Sequence, residues 1–178
     1  MIRENFKKVG IFNLLLIVLV VIYDSIRLAT GHSLMPKIVI LVHFVAYFVG
    51  LLYAFSGYKK DAARYYKIFM FLVAASEALS FVGKLTRSEP STLMTVLSGV
   101  CIAIALSLTI VKDLGNKFSI VLCSISIAIH LYNVIHTAIF ASAKFQAISG
   151  PLSDLILLIV ALVFILAKYE DKFARGTE

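Results

Sequence analysis

Glu77 stands near the middle of a long apolar stretch, where a carboxylate is expensive to keep. At the centre of a membrane helix an ionisable side chain costs about 2.5–3.5 kcal/mol on insertion scales, so it marks a functional site by default. The chemistry open to it is to bind a small charged ligand or pass a proton. A buried structural ion pair, or a protonated and hydrogen-bonded carboxyl, is the alternative. Ser80 and Lys84 share its helical face. Lys84 is seven residues on, about 10 Å along a helix axis, too far for a direct pair. It can reach the interface by snorkelling instead.

Residues 117–141 form the most polar of the apolar stretches. At 100° per residue, Ser119, Cys123, Ser126, His130, Asn133 and Thr137 fall within an arc of about 80°, with His136 beside it. One reading is interhelical hydrogen bonding, because Ser, Thr, Asn and His tie membrane helices together. The other is that this face lines a cavity.

Three further positions carry charge or an imidazole. Asp24 and Arg27 are spaced i, i+3, as in a local surface salt bridge, but Asn13 lies on the same face three turns deeper and turns that face inward. His43 precedes Tyr47 on one face, either as a hydrogen-bonded core residue or as a ligand. Asp154, behind Pro151, reads as a capping charge in the first turn of a helix. His32 is a loop residue with no special signal. The candidate ligand-binding set is therefore Glu77, His130, Asn133, His136, His43, Asp24 and Arg27. No residue is assigned as catalytic.

Several chemistries lack their motifs. GxxxxGK[ST] is missing, which excludes an intrinsic P-loop ATPase, and there is no HExxH or GxSxG. No helix has an arginine repeat. No cofactor is favoured, and no metal site is assigned. A minor alternative is one haem or metal held by His43 with His130 or His136, Glu77 serving as a proton-transfer group. Cys101 and Cys123 fall in different apolar stretches and read as packing residues.

The elements that carry these residues are membrane helices. Hydrophobic residues make up 61% of the 178-residue chain and mean hydropathy is +0.97. A membrane helix needs about 20 apolar residues. Stretches at about 10–29, 37–57, 66–85, 92–111, 117–141 and 150–167 qualify. They do not alternate in polarity as barrel strands would. The expected fold is all-α, a polytopic six-transmembrane-helix bundle forming a single membrane-embedded domain over 1–178. The first stretch follows Arg3, Lys7 and Lys8 and ends without a small-x-small cleavage site, as in an uncleaved signal anchor.

With the N-terminus inside, the inner segments hold Arg3, Lys7, Lys8, Lys59, Lys60, Arg64, Lys67, Lys112, Lys117, Lys168, Lys172 and Arg175. The outer ends hold Arg27, Lys37, Lys84, Arg87 and Lys144, so the 17 basic residues divide twelve to five. That asymmetry predicts cytoplasmic N- and C-termini in a plasma or inner membrane. It also accounts for the net charge of +7 without nucleic acid as a partner. Asp24, Arg27, His43, Glu77, Ser80, Lys84, Asn133, His136 and Asp154 then all lie in the outer half, with His130 near the middle. The expectation is a polar pocket open to the outside above a dry plug.

Helix 4 carries a small-residue stripe, Thr95, Gly99, Ala103 and Ser107, suited to close helix packing. Helix 2 has a similar one in Ala46, Gly50 and Ala54. Helix 6 is apolar all round and is expected to face lipid or a partner's apolar surface. In size and helix count the chain resembles the substrate-binding subunits of energy-coupling-factor vitamin transporters, though their AxxxA pattern in helix 1 is not visible here. The leading expectation is a module that binds or transports a small polar solute, with or without an energising partner. The alternatives are an accessory subunit of a membrane complex and a His-ligated redox protein.

Overall fold

The computed structural model describes residues 2–30, 34–55, 62–85, 92–110, 117–140 and 144–175, and all of them are helical. The helices are α1 (Ile2–Thr30), α2 (Leu34–Phe55), α3 (Ala62–Leu85), α4 (Thr92–Ile110), α5 (Lys117–Phe140) and α6 (Lys144–Arg175). His32 and the connecting segments lie outside the described residues, as do the side chains of Lys84, Thr95 and Lys144. Five helices contain spans long and apolar enough to cross a membrane: Ile11–Ala29, Lys37–Phe55, Ala63–Gly83, Lys117–Phe140 and Pro151–Lys168. The architecture is that of a multi-pass, all-α membrane protein.

Several helices outrun their apolar stretches. α1 starts at Ile2 and α6 extends from Lys144 to Arg175. Lys, Arg, Glu, Gln and Ala are good helix formers, so the helix continues where hydropathy stops. α6 runs through Pro151, which removes one backbone donor inside the helix. Asp154 therefore lies well past the first turn, and its reading as an N-terminal capping charge is overturned.

Helices adjacent in sequence pack side by side, and α1 closes the ring against α6. α6 also touches α3 and α2, which draws it toward the centre. Ser153 through Leu158, Val160, Ala161, Phe164 and Ile165 are all buried. The expectation that α6 faces lipid is thus corrected: it is the most enclosed of the candidate spans. Lipid and a bundle core are equally apolar, so an all-apolar helix is at home in either.

The outward faces are greasy and the inward faces carry the polar groups. α1 exposes Ile11, Phe12, Leu15, Leu19 and Ile22 while burying Asn13, Ile17, Val20 and Asp24. Water would penalise that exposed face, and lipid does not. Exposed Ser25 donates its hydroxyl back to the Val21 carbonyl at 2.7 Å. This is how a serine facing hydrocarbon satisfies itself.

Near one end of the bundle, α2, α3 and α6 meet in an aromatic plug. Phe164 packs edge-on against Tyr53 (4.8 Å between centroids) and Phe69 (5.2 Å), and Tyr53 lies 5.3 Å from Tyr66. The ammonium of Lys168 sits 4.5 Å over the Tyr66 ring. Gly50 makes room for the plug: a Cβ there would meet Phe69 at 3.3 Å and Phe164 at 3.4 Å. Ten residues separate Tyr53 from His43, and ten separate Phe164 from Asp154. At 1.5 Å per residue the polar layer lies about 15 Å from the aromatic one.

Candidate functional site

Two buried polar groups occupy the interior, one on each side of α3. The first is centred on His43 of α2, whose side chain is completely enclosed. Its Nδ1 lies 3.3 Å from Asp24 Oδ2 of α1, and its Nε2 lies 3.2 Å from Asp154 Oδ1 of α6. Nε2 also contacts the Ser76 hydroxyl of α3. Arg27 donates from Nη1 to Asp24 Oδ1 and to Ser153 Oγ, both at 3.0 Å. Ser153 in turn donates to Asp24 Oδ1 at 2.6 Å, and Ser80 donates to Asp154 Oδ2 at 3.3 Å.

Four helices therefore converge on one imidazole. With His43 as an imidazolium, both ring N–H groups have a carboxylate to donate to, and two cations balance two anions. With a neutral ring, the group carries one net negative charge. A buried charge is tolerated when it is paired and hydrogen-bonded, so the imidazolium form is the self-consistent one. Arg27 is the least buried of the four, at 14% exposure.

The second group lies between α3, α4 and α5. His130 Nδ1 donates to the Ser126 carbonyl one turn back, at 3.1 Å. Its Nε2 lies 3.3 Å from Glu77 Oε1 of α3, and Cys101 Sγ of α4 is 3.4 Å from Nδ1. Since Nδ1–H is held by the carbonyl, the Nε2 side is the one turned to Glu77. One proton between Nε2 and the carboxyl keeps the pair neutral overall.

No protein-family model, curated protein or solved structure matches this chain. Its chemistry has to be read from the side chains themselves.

Asp24, Arg27 and His43 come together in the first group, and Glu77 and His130 in the second. Asn133 is buried on the same face of α5 as His130, and its Oδ1 has no partner among the described residues. His136 joins neither group. It packs 4.7 Å from the Phe140 ring and 5.9 Å from Tyr132, both exposed on the outer side of α5. Asp24 and Arg27 do form the i, i+3 pair, at 3.0 Å, but Asp24 is fully buried and the pair is no surface bridge.

Sequence reasoning passed over Ser76 and Ser153 and read Cys101 only as a packing residue. Each is a small residue in an apolar helix, and only the helices opposite reveal what it touches. On α4 the buried face is Cys101, Ile104, Ala105 and Leu108. Ala103 of the small-residue stripe is exposed, and Ser107 bonds back to the Ala103 carbonyl at 2.7 Å. A Cβ on Gly99 would meet only Phe81, at 3.8 Å. Among its described side chains, that stripe is exposed or half-buried, whereas Ala46 and Gly50 of α2 are buried.

Among the described residues, no three His, Cys, Asp or Glu side chains are grouped to hold a metal ion. Both nitrogens of His43 face acidic or hydroxyl partners, and His130 faces Ser126 and Glu77. Both nitrogens of His43 are engaged, while His130 Nε2 approaches Glu77 at 3.3 Å without a hydrogen bond among the described residues, so the pair does not supply the two imidazoles of a bis-histidine haem.

Proposed function

We propose that this protein is a membrane module that binds and transports a small polar solute, centred on the Asp24–Arg27–His43–Asp154 group. The observation that carries the reading is His43, set between carboxylates from two other helices. Buried ionisable residues in membrane helices mark substrate and ion pathways. A charge-balanced set from α1, α2 and α6 can exchange internal pairs for pairs with a zwitterionic ligand at little electrostatic cost. Arg27, the least buried member, provides the approach.

In this reading α4 is the sixth crossing, and both termini are cytoplasmic in a plasma or inner membrane. The polar layer then faces outward, above the aromatic plug.

Native mass spectrometry of protein extracted gently from its own membrane tests the proposal. The expected result is a co-travelling small-molecule mass that disappears in His43→Gln. A chain that travels bare, or only with another protein, refutes solute binding.

A second reading, an accessory subunit docking on another membrane protein, draws support from α4, whose Ala103 faces outward. It predicts that Glu77→Gln leaves function intact and Gly99→Leu abolishes it. Solute binding at the polar layer predicts the opposite sensitivity at Glu77.

A further inference from the structure

Consecutive residues of α3 touch the two histidine groups. Ser76 contacts His43, and Glu77 contacts His130. Successive residues on a helix point about 100° apart, so α3 turns one side chain to each group. Both are buried, Ser76 at 1% and Glu77 at 4% exposure.

Each group can gain or lose one proton. His43 faces Asp24 and Arg27 from α1, Asp154 from α6 and Ser76 from α3, with Tyr47 one turn away on α2. His130 faces Glu77 from α3, Cys101 from α4 and the Ser126 carbonyl of its own helix. Protonating His43 takes the first group from one net negative charge to neutral. The second is neutral with one proton between His130 and Glu77, and a second proton makes it cationic. Beside it, the buried Ser126 hydroxyl and Asn133 Oδ1 have no partner among the described residues. Unsatisfied buried polar atoms are rare and call for a mobile partner. The Ser126 hydroxyl, which both accepts and donates, is suited to pass a proton onward, whereas the Asn133 oxygen only accepts a hydrogen bond.

We propose that the His43 group and the Glu77–His130 pair are two stations of one transmembrane proton path, connected across α3 at Ser76–Glu77. This rests on the transport reading and adds the proton as a second species that the bundle conducts. One proton enters at one station and one leaves at the other, and nothing is oxidised or reduced. His43 and Asp154 form the first station. Ser76 is the hydroxyl of α3 that meets the first station, and Glu77, the next residue of the same helix, shares the next proton with His130.

Proton flux into proteoliposomes tests it. The lumen holds a pH-sensitive dye, and a potassium diffusion potential set with valinomycin drives protons inward. Wild type should acidify at least about tenfold faster than protein-free vesicles, and Ser124→Ala, on the exposed face of α5, should match it. His43→Gln and Glu77→Gln should each fall to the protein-free rate, and Ser76→Ala should be slowed severalfold. Only variants that elute as a single species are compared. Should Glu77→Gln fail to fold, His130→Asn puts the same question while keeping a donor for the Ser126 carbonyl.

Wild-type flux no faster than empty vesicles overturns the path. So does full flux in Glu77→Gln, or in His130→Asn where that variant replaces it. Native mass spectrometry separates this from solute binding. A bound solute without flux sinks the proton path alone, and flux without a bound solute sinks the solute reading alone.

Discussion

Asp154 Oδ1 of α6 lies 3.2 Å from His43 Nε2 of α2, and both side chains are almost wholly buried. Removing one partner of such a pair leaves the other charge uncompensated, at a cost of about 3–5 kcal/mol. Asp154→Asn should therefore destabilise the protein by that order. The double variant Asp154→Asn/His43→Gln should lose less than the sum of the single changes. Reversible unfolding in mixed micelles, followed by helicity, measures the cycle. Additive losses would mean that the two groups do not interact.

Gly50 and Gly99 make opposite predictions for the same change. At Gly50 an added methyl meets the Phe69 and Phe164 rings at 3.3 and 3.4 Å, so those rings have to shift within a packed plug. Gly50→Ala should lower stability, the overpacking of the plug costing about 1–3 kcal/mol. At Gly99 the nearest atom is 3.8 Å away. Gly99→Ala should leave thermal stability in detergent unchanged or slightly raised, since alanine favours the helix. Equal losses at both positions would contradict the packing of α2 on α3 and α6.

Tyr47 is buried, and its hydroxyl has no hydrogen-bond partner among the described residues. Removing an unsatisfied buried polar group relieves its desolvation cost. Tyr47→Phe should match or exceed wild-type stability, by up to about 1 kcal/mol. A clear loss in the same unfolding experiment would reveal a bond made by that hydroxyl.

Cys101 and Cys123 are both free and completely buried. Only a thiolate with access to reagent reacts. A membrane-impermeant thiol reagent should label neither cysteine in the folded protein and both after unfolding in SDS, as counted by mass. Labelling of Cys101 in the native state would reveal an aqueous route to the His130 pair.

Under the proposed topology, with α4 as a sixth crossing, both termini lie on one side, the side that carries twelve of the 17 basic residues. Reporter fusions active on only one face of the membrane should give the same answer at residues 1 and 178. Opposite answers would remove one span, and α4 is the one whose crossing rests on the topology proposal.

Local relationships were legible in the residues alone. The Asp24–Arg27 pair follows from i, i+3 spacing. The polar arc of α5 follows from 100° per residue, and Ser119, Cys123, Ser126, His130 and Asn133 are its buried positions. His136 lies about 60° beyond the edge of that arc, and this displacement sends it to the outer aromatic surface.

The partners across helices were not legible. Helical periodicity gives the face on which a residue sits but not which helix meets that face. Ser76 and Ser153 look like any small residue in an apolar helix, and each acquires meaning only from the charged group opposite. Asp154 looked like a cap because hydropathy marks where a helix becomes greasy, not where it begins.

By itself, then, the sequence determined the helical class, the approximate spans, and which polar residues share a face and a depth. These depend on backbone hydrogen bonding in an apolar medium and on a fixed helical repeat, which are properties of each segment alone. Only the tertiary structure decided that α6 is central and that His43 sits between Asp24 and Asp154. It also decided that α3 turns Ser76 and Glu77 to different histidines. Lipid and protein core are equally apolar, so hydrophobicity cannot order the helices around the ring. Side-chain packing and the pairing of buried charges do that.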